Sequence, residues 1–167
     1  MKDNEQLQAG EPAGASVQCQ AKSHPRILVV DDESDLRRLY AETLSRPGYQ
    51  VDAAKDGAAG WEALQANNYN LLITEHILPK LTGVELVRKL RSAHMAVPVV
   101  MATVRLPTQE LVLDPSLQLA ALMPKPFYLS ELLQTVRAVL RATGSFREQI
   151  ASPPGWQGQP SAVGLRV

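Results

Sequence analysis

Leu71-Leu72-Ile73-Thr74-Glu75-His76-Ile77-Leu78-Pro79, closing on Thr82-Gly83, is the stretch that decides how this chain folds. A short apolar run delivers an acid, and a proline and a glycine then redirect the chain. The same design recurs on both sides. Upstream, Ile27-Leu28-Val29-Val30 delivers the adjacent carboxylates Asp31 and Asp32. Downstream, Val97-Pro98-Val99-Val100-Met101-Ala102 ends in a hydroxyl, Thr103, and Ala120-Ala121-Leu122-Met123 ends in Lys125-Pro126-Phe127. Short apolar runs bounded by turn signals read as buried strands.

Helical patterns separate these runs. After the first strand (about 26–31), Leu36, Leu39, Tyr40 and Leu44 recur at helical spacing until Pro47-Gly48. The stretch 49–53 puts Tyr49, Val51 and Ala53 on one face and Gln50 and Asp52 on the other, as a half-exposed edge strand does. A second helix covers roughly 57–67. Thr82-x-x-Glu85 opens the third with a capping box. A fourth is expected over 105–119, but Pro107 and Pro115 interrupt it, and Leu111, Val112 and Leu119 are its only anchors. It should be short or irregular. The fifth carries the clearest stripe: Leu129, Leu132, Leu133, Val136, Val139 and Leu140.

Five strands alternating with helices imply an α/β fold: a five-stranded parallel sheet, doubly wound, with helices on both faces. Ligands bind such sheets outside the carboxyl ends of the strands. Asp31, Asp32, Glu75, Thr103 and Lys125 all fall at those ends.

The remaining properties narrow the function. Lys+Arg and Asp+Glu balance at 17 each, which gives no reason to invoke nucleic acid. No apolar run approaches the roughly 20 residues that span a bilayer. The N-terminus, with Asp3, Glu5 and Glu11, does not resemble a signal peptide, so a cytoplasmic location is expected. Residues 1–24 and 143–167 are rich in polar residues, glycine and proline and are expected to be disordered tails; Ile150 and Trp156 could dock onto the domain or a partner, but exposure to solvent is the favoured reading. Cys19 is an incidental tail thiol that can form no internal disulfide. His76 reads as an incidental loop histidine, since His24 and His94 are too distant in sequence to complete a metal cluster. Trp61 reads as packing.

Three carboxylates in one cleft repel strongly, since two unit charges about 4 Å apart interact by roughly 4 kcal/mol at an effective dielectric near 20. Lys125 offers one positive charge. The other two match a divalent ion, and hard oxygen ligands select Mg²⁺ or a relative.

These residues resemble the receiver domain of bacterial two-component response regulators, over about residues 25–142. Val29-Val30-Asp31-Asp32-Glu33 matches the family's acidic motif. Glu75-His76-Ile77-Leu78-Pro79-x-x-x-Gly83 matches its phosphoacceptor motif, Pro98 to Thr103 its switch-hydroxyl strand, and Lys125-Pro126-Phe127 its lysine motif. The resemblance implies the flavodoxin-like strand order 2-1-3-4-5. It implies Mg²⁺ ligation by Asp31, Asp32, Glu75 and the Ile77 backbone carbonyl, and a switch at Thr103 and position 122. Lys125 would balance the phosphoryl charge. The implied partner is a histidine kinase, a phosphotransfer protein or another signalling protein, met through the fourth helix, fifth strand and fifth helix.

Two departures matter. The family's phosphoacceptor is aspartate, and Glu75 stands in its place. The family usually carries Tyr or Phe three residues before the lysine, and here that residue is Leu122. Glu75 therefore has three readings: a mimic of the phosphorylated state, a binding scaffold that has lost the chemistry, or a poor acceptor. Mg²⁺ binding is expected to be weak or absent. The leading expectation is a stand-alone atypical receiver, not an enzyme and not phosphorylated, because the residues after 142 are too few for an output domain. The alternative is a Mg²⁺-dependent phosphohydrolase with Asp31 or Asp32 as nucleophile.

Overall fold

The computed structural model describes residues 24–104 and 114–144. In chain order the elements are β1 (Arg26–Val30), α1 (Ser34–Ser45), β2 (Gln50–Ala54), α2 (Gly57–Ala66), β3 (Leu71–Thr74), α3 (Gly83–Ser92), β4 (Val99–Thr103), a 3-10 turn (Pro115–Leu117), β5 (Ala121–Pro124) and α4 (Leu129–Ala142). The helix labelled α4 is the fifth of the sequence reading. The strands form one sheet in the order β2-β1-β3-β4-β5, and every pairing is parallel. The expected doubly wound architecture and strand order are both present.

Successive strand residues feed opposite layers, because side chains alternate across a sheet. Ile27, Val29, Leu71, Ile73, Val100 and Ala102 pack with Tyr40 and Leu44 of α1 and with Leu132, Val136 and Leu140 of α4. Leu28, Val30, Leu72, Val99 and Met101 pack with Leu64 of α2 and with Val84, Leu86, Val87 and Leu90 of α3. Both sheet faces are thus covered, which is why the central strands are apolar throughout rather than alternating. On the edge strand β2, Tyr49 and Val51 share the expected face, but the alternation does not extend to Ala53. Ala53 is exposed, and Ala54 supplies the buried contact.

Two local expectations meet the structure closely. Thr82 and Glu85 form the capping box, with Thr82 Oγ1 accepting from the Glu85 amide and Glu85 Oε2 accepting from the Thr82 amide. Leu132, Val136, Val139 and Leu140 are buried along α4, as the stripe requires.

The 105–119 segment calls for correction where it is described. Pro107, Leu111 and Val112 lie outside the described residues. Pro115 does not interrupt a helix. It stands at the start of the 3-10 turn, where a missing amide costs little, and Asp114 caps that turn by accepting from the Ser116 amide. The anchor is Leu117, 1% exposed, whereas Leu119 is only partly buried. Arg91 ties this turn to α3. Its Nε donates to the Leu117 carbonyl, Nη2 to Gln118, and Nη1 to Met95 and Val97. The expected tails also fall outside the described residues, apart from the single residue His24 and the helix end at Thr143 and Gly144.

Candidate functional site

The strand order reverses between β1 and β3, and at that point the chain gathers its charged groups. Strand ladders fix the carriers: the Glu75 amide donates to the Val30 carbonyl at 3.0 Å, and the Lys125 amide to the Thr103 carbonyl at 2.8 Å. Asp31, Asp32, Glu33, Glu75, Ile77, Thr103 and Lys125 line one open cleft of about 400 Å³. All the acids, the hydroxyl and the cation expected at the strand ends therefore meet. Leu122 does not join them; it packs against the layer formed with α2 and α3.

Lys125 organises the cleft. Its Nζ lies 2.8 Å from Asp31 Oδ2 and 2.8 Å from Glu75 Oε2, and all three side chains are largely buried. The contact with Glu75 follows from the reach of the longer acid. Burial by itself pulls the Lys125 ammonium down, but its hydrogen bonds to Asp31 and Glu75 outweigh that and hold it above its ordinary value of 10.5. The remaining carboxylate oxygens are also engaged. Asp31 Oδ1 accepts from the Glu33 amide at 3.0 Å, and Glu75 Oε1 from the His76 amide at 2.7 Å.

That pairing bears on the metal. A hard cation needs several converging oxygens that are not otherwise committed. Here both oxygens of Asp31 and both of Glu75 already accept hydrogen bonds, and Asp32 is exposed. Among the described residues no group of three or more His, Cys, Asp or Glu side chains is arranged to hold an ion. The expected ligand set of Asp31, Asp32, Glu75 and the Ile77 carbonyl shares one cleft but does not form a cation cage. The residues as placed do not fit Mg²⁺, because the Lys125 ammonium already bridges two of the acids.

The loop that carries Glu75 is held by contacts invisible in the sequence. A Cβ at Gly83 would collide with the Glu75 carbonyl, and one at Gly57 with the Leu81 carbonyl. Gly83→Ala is therefore expected to destabilise the domain by about 1–3 kcal/mol through overpacking, read as a lower urea midpoint at unchanged slope. An unchanged midpoint would mean the loop yields freely.

Lys80, in the left-handed region at φ 65°, reaches Asp56 at 2.7 Å. Asp56 also caps α2 by accepting from the Ala59 amide. The Lys80 hydrogen bond and then the Ala59 amide hold Asp56 below its ordinary 3.8, while Asp56 holds Lys80 above 10.5. A depressed carboxylate contributes stability that is present above its unfolded value and lost as pH falls through the folded one. A raised lysine contributes below its unfolded value and loses it as pH rises through the folded one. The stability difference between the parent and Lys80→Met should thus be flat across neutral pH and shrink below about pH 3.8 and above about pH 10.5. A difference that varies between pH 6 and 8 would contradict this assignment.

His76 meets Glu75 through its backbone amide. Its Nδ1 is buried without a hydrogen-bond partner among the described residues. Trp61 packs on α2 with the Lys89 ammonium 5.1 Å from its ring centroid, as expected of a packing residue. Tyr40 was read only as a helix-face apolar residue. It stacks on Phe127 with centroids 5.7 Å apart and lies 5.9 Å from Lys125 Nζ.

The comparisons agree with this geometry. The family model described as the response regulator receiver domain matches residues 27–137. The response regulator MprA of Mycobacterium ulcerans is 37% identical over 118 residues, covering 71% of this chain and 51% of MprA. The chain thus spans about half the length of the curated relatives it matches. Among solved structures, the Vibrio cholerae chemotaxis protein CheY4 is similar at 27% identity and a TM-score of 0.66, covering 71% of this chain and all of CheY4. Thermotoga maritima TrrA, solved in complex with Mg²⁺ and BeF, is similar at 28% identity and a TM-score of 0.62, covering 70% of this chain and 99% of TrrA.

Proposed function

Because the chain belongs to the receiver-domain family of two-component response regulators, we propose that it is an atypical receiver that is not phosphorylated and works as a protein-interaction module. The observation that carries this reading is the Lys125 bridge. One ammonium holds Asp31 and Glu75 at 2.8 Å each, so part of the positive charge that Mg²⁺ would supply in a receiver comes from within the chain. Receiver domains typically bind Mg²⁺; in this one the ion would have to displace Lys125, so binding is weak or absent.

Thr103 remains fully buried at the cleft, but Leu122 has no ring to follow it, so the family's switch lacks its reporting end. Partners on this reading are a histidine kinase, a phosphotransfer protein or another signalling protein, met on the face that includes β5 and α4. No nucleic-acid or membrane partner is proposed. Among the described residues no helix is long and apolar enough to cross a membrane.

The test is incubation with acetyl phosphate and Mg²⁺, followed by intact mass measurement and site mapping. No phosphoryl gain is expected, and modification at Glu75 would overturn the reading. Steady hydrolysis of a generic phosphate ester, abolished in Asp31→Asn, would instead favour the phosphohydrolase. Nothing in the geometry favours it, since both Asp31 oxygens are paired.

A further inference from the structure

A second cavity, about 380 Å³, shares the Lys125 wall of the acid cleft but is apolar. Leu36, Leu39 and Tyr40 of α1 form one side, and Val104, Phe127 and Leu129 the other. Its rim is unusually bare: Leu39 is 40% exposed and Val104 72%. The Tyr40–Phe127 stack makes an aromatic floor beside a buried ammonium. A floor of that kind suits a third ring, because aromatic pairs gain beyond their buried area and a cation near the ring adds to the attraction.

We propose that this groove is the seat of Trp156 from the chain's own C-terminal segment. The candidates are few. All four tyrosines, Trp61 and Phe127 lie within the described residues, which leaves Phe146 and Trp156 as the only other aromatic side chains. Reach separates these two. Leu129, the first residue of α4, lines the groove, whereas the chain leaves α4 at Ala142 and Gly144, at the far end. Returning along a 14-residue helix means covering about 21 Å at 1.5 Å per residue. An extended chain needs roughly seven residues for that. Phe146, two residues past Gly144, falls short. Ile150, six residues past it, arrives only when fully stretched.

Trp156 stands twelve residues past Gly144 and has slack to spare. The sequence alone ranked docking of Trp156 below solvent exposure because it offered no place for the ring; the groove supplies one. This inference stands whether or not Glu75 accepts phosphate.

The experiment uses the full chain carrying Trp61→Phe, in which Trp156 is the sole indole. Its emission should be blue-shifted and resist acrylamide. Quenching should rise several-fold when Leu39→Asp is added, and again when Val104→Asp is added instead; two exposed positions guard against a misfolded variant, which collapsed amide dispersion would reveal. Cross-relaxation between the Trp156 indole and the Phe127 ring should persist on tenfold dilution. Quenching that is the same in the parent and in both folded groove variants would overturn the proposal. So would contacts that vanish on dilution, which would assign the groove to a second copy.

Discussion

Glu75→Asp is expected to gain a phosphoryl group from acetyl phosphate in the presence of Mg²⁺, under conditions that leave the parent unmodified. The substitution removes one methylene and withdraws the carboxylate by about 1.5 Å. That is enough to release Lys125 from one of its two partners and to free oxygens now committed to it. In-line attack is sensitive to displacements of about 1 Å, so the glutamate's reach alone can abolish it. Asp31, Asp32, Thr103 and Lys125 already stand around the cleft. Intact mass and site mapping read the result directly. An aspartate variant that binds Mg²⁺ yet stays unmodified would mean that the site is disabled beyond Glu75. Restored phosphorylation would still leave the readout incomplete, because Leu122 carries no ring.

Lys125→Met should be the most destabilising single change at the site, by about 3–5 kcal/mol, because it leaves two buried carboxylates without their shared cation. Methionine keeps most of the stem and removes only the charge, which separates the electrostatic effect from lost packing. Urea unfolding at neutral pH measures it. Millimolar Mg²⁺ should recover part of the loss in the variant and leave the parent unchanged, because only the variant has uncommitted acids. A loss under about 1 kcal/mol would show that the acids relax into water, as they do at exposed pairs, and would remove the basis for a site held together by its own lysine.

What could be read from the sequence was local or periodic. Thr82 and Glu85 are three residues apart, so the capping box follows from helix chemistry alone. Leu132, Val136 and Leu140 show their face through spacing, and the strand ends declare themselves where apolar runs stop at charged residues. What escaped is tertiary. Asp56 and Lys80 belong to different loops, and no periodicity links them. Pro115 was misjudged because a proline inside an expected helix and a proline opening a short turn look alike until the turn is located. That Lys125 would reach Glu75 followed from side-chain length, but its equal hold on Asp31 needed the relative placement of β1 and β5. Leu117 was missed as an anchor because three residues of 3-10 turn leave no stripe to detect.

Arg91 also has a mechanical meaning. By holding the carbonyls of Met95, Val97, Leu117 and Gln118, it pins the segments that lead into β4 and β5 at the end of the sheet remote from the cleft. A strand pinned at its foot moves as a lever, with its largest travel at the tip. For the four residues of β5, roughly 13 Å long, a tilt of about 5° displaces the tip by about 1 Å. Lys125 stands at that tip, immediately after Pro124. A partner that rocks β5 against its Arg91 fulcrum therefore lengthens or shortens both arms of the ammonium bridge without entering the cleft.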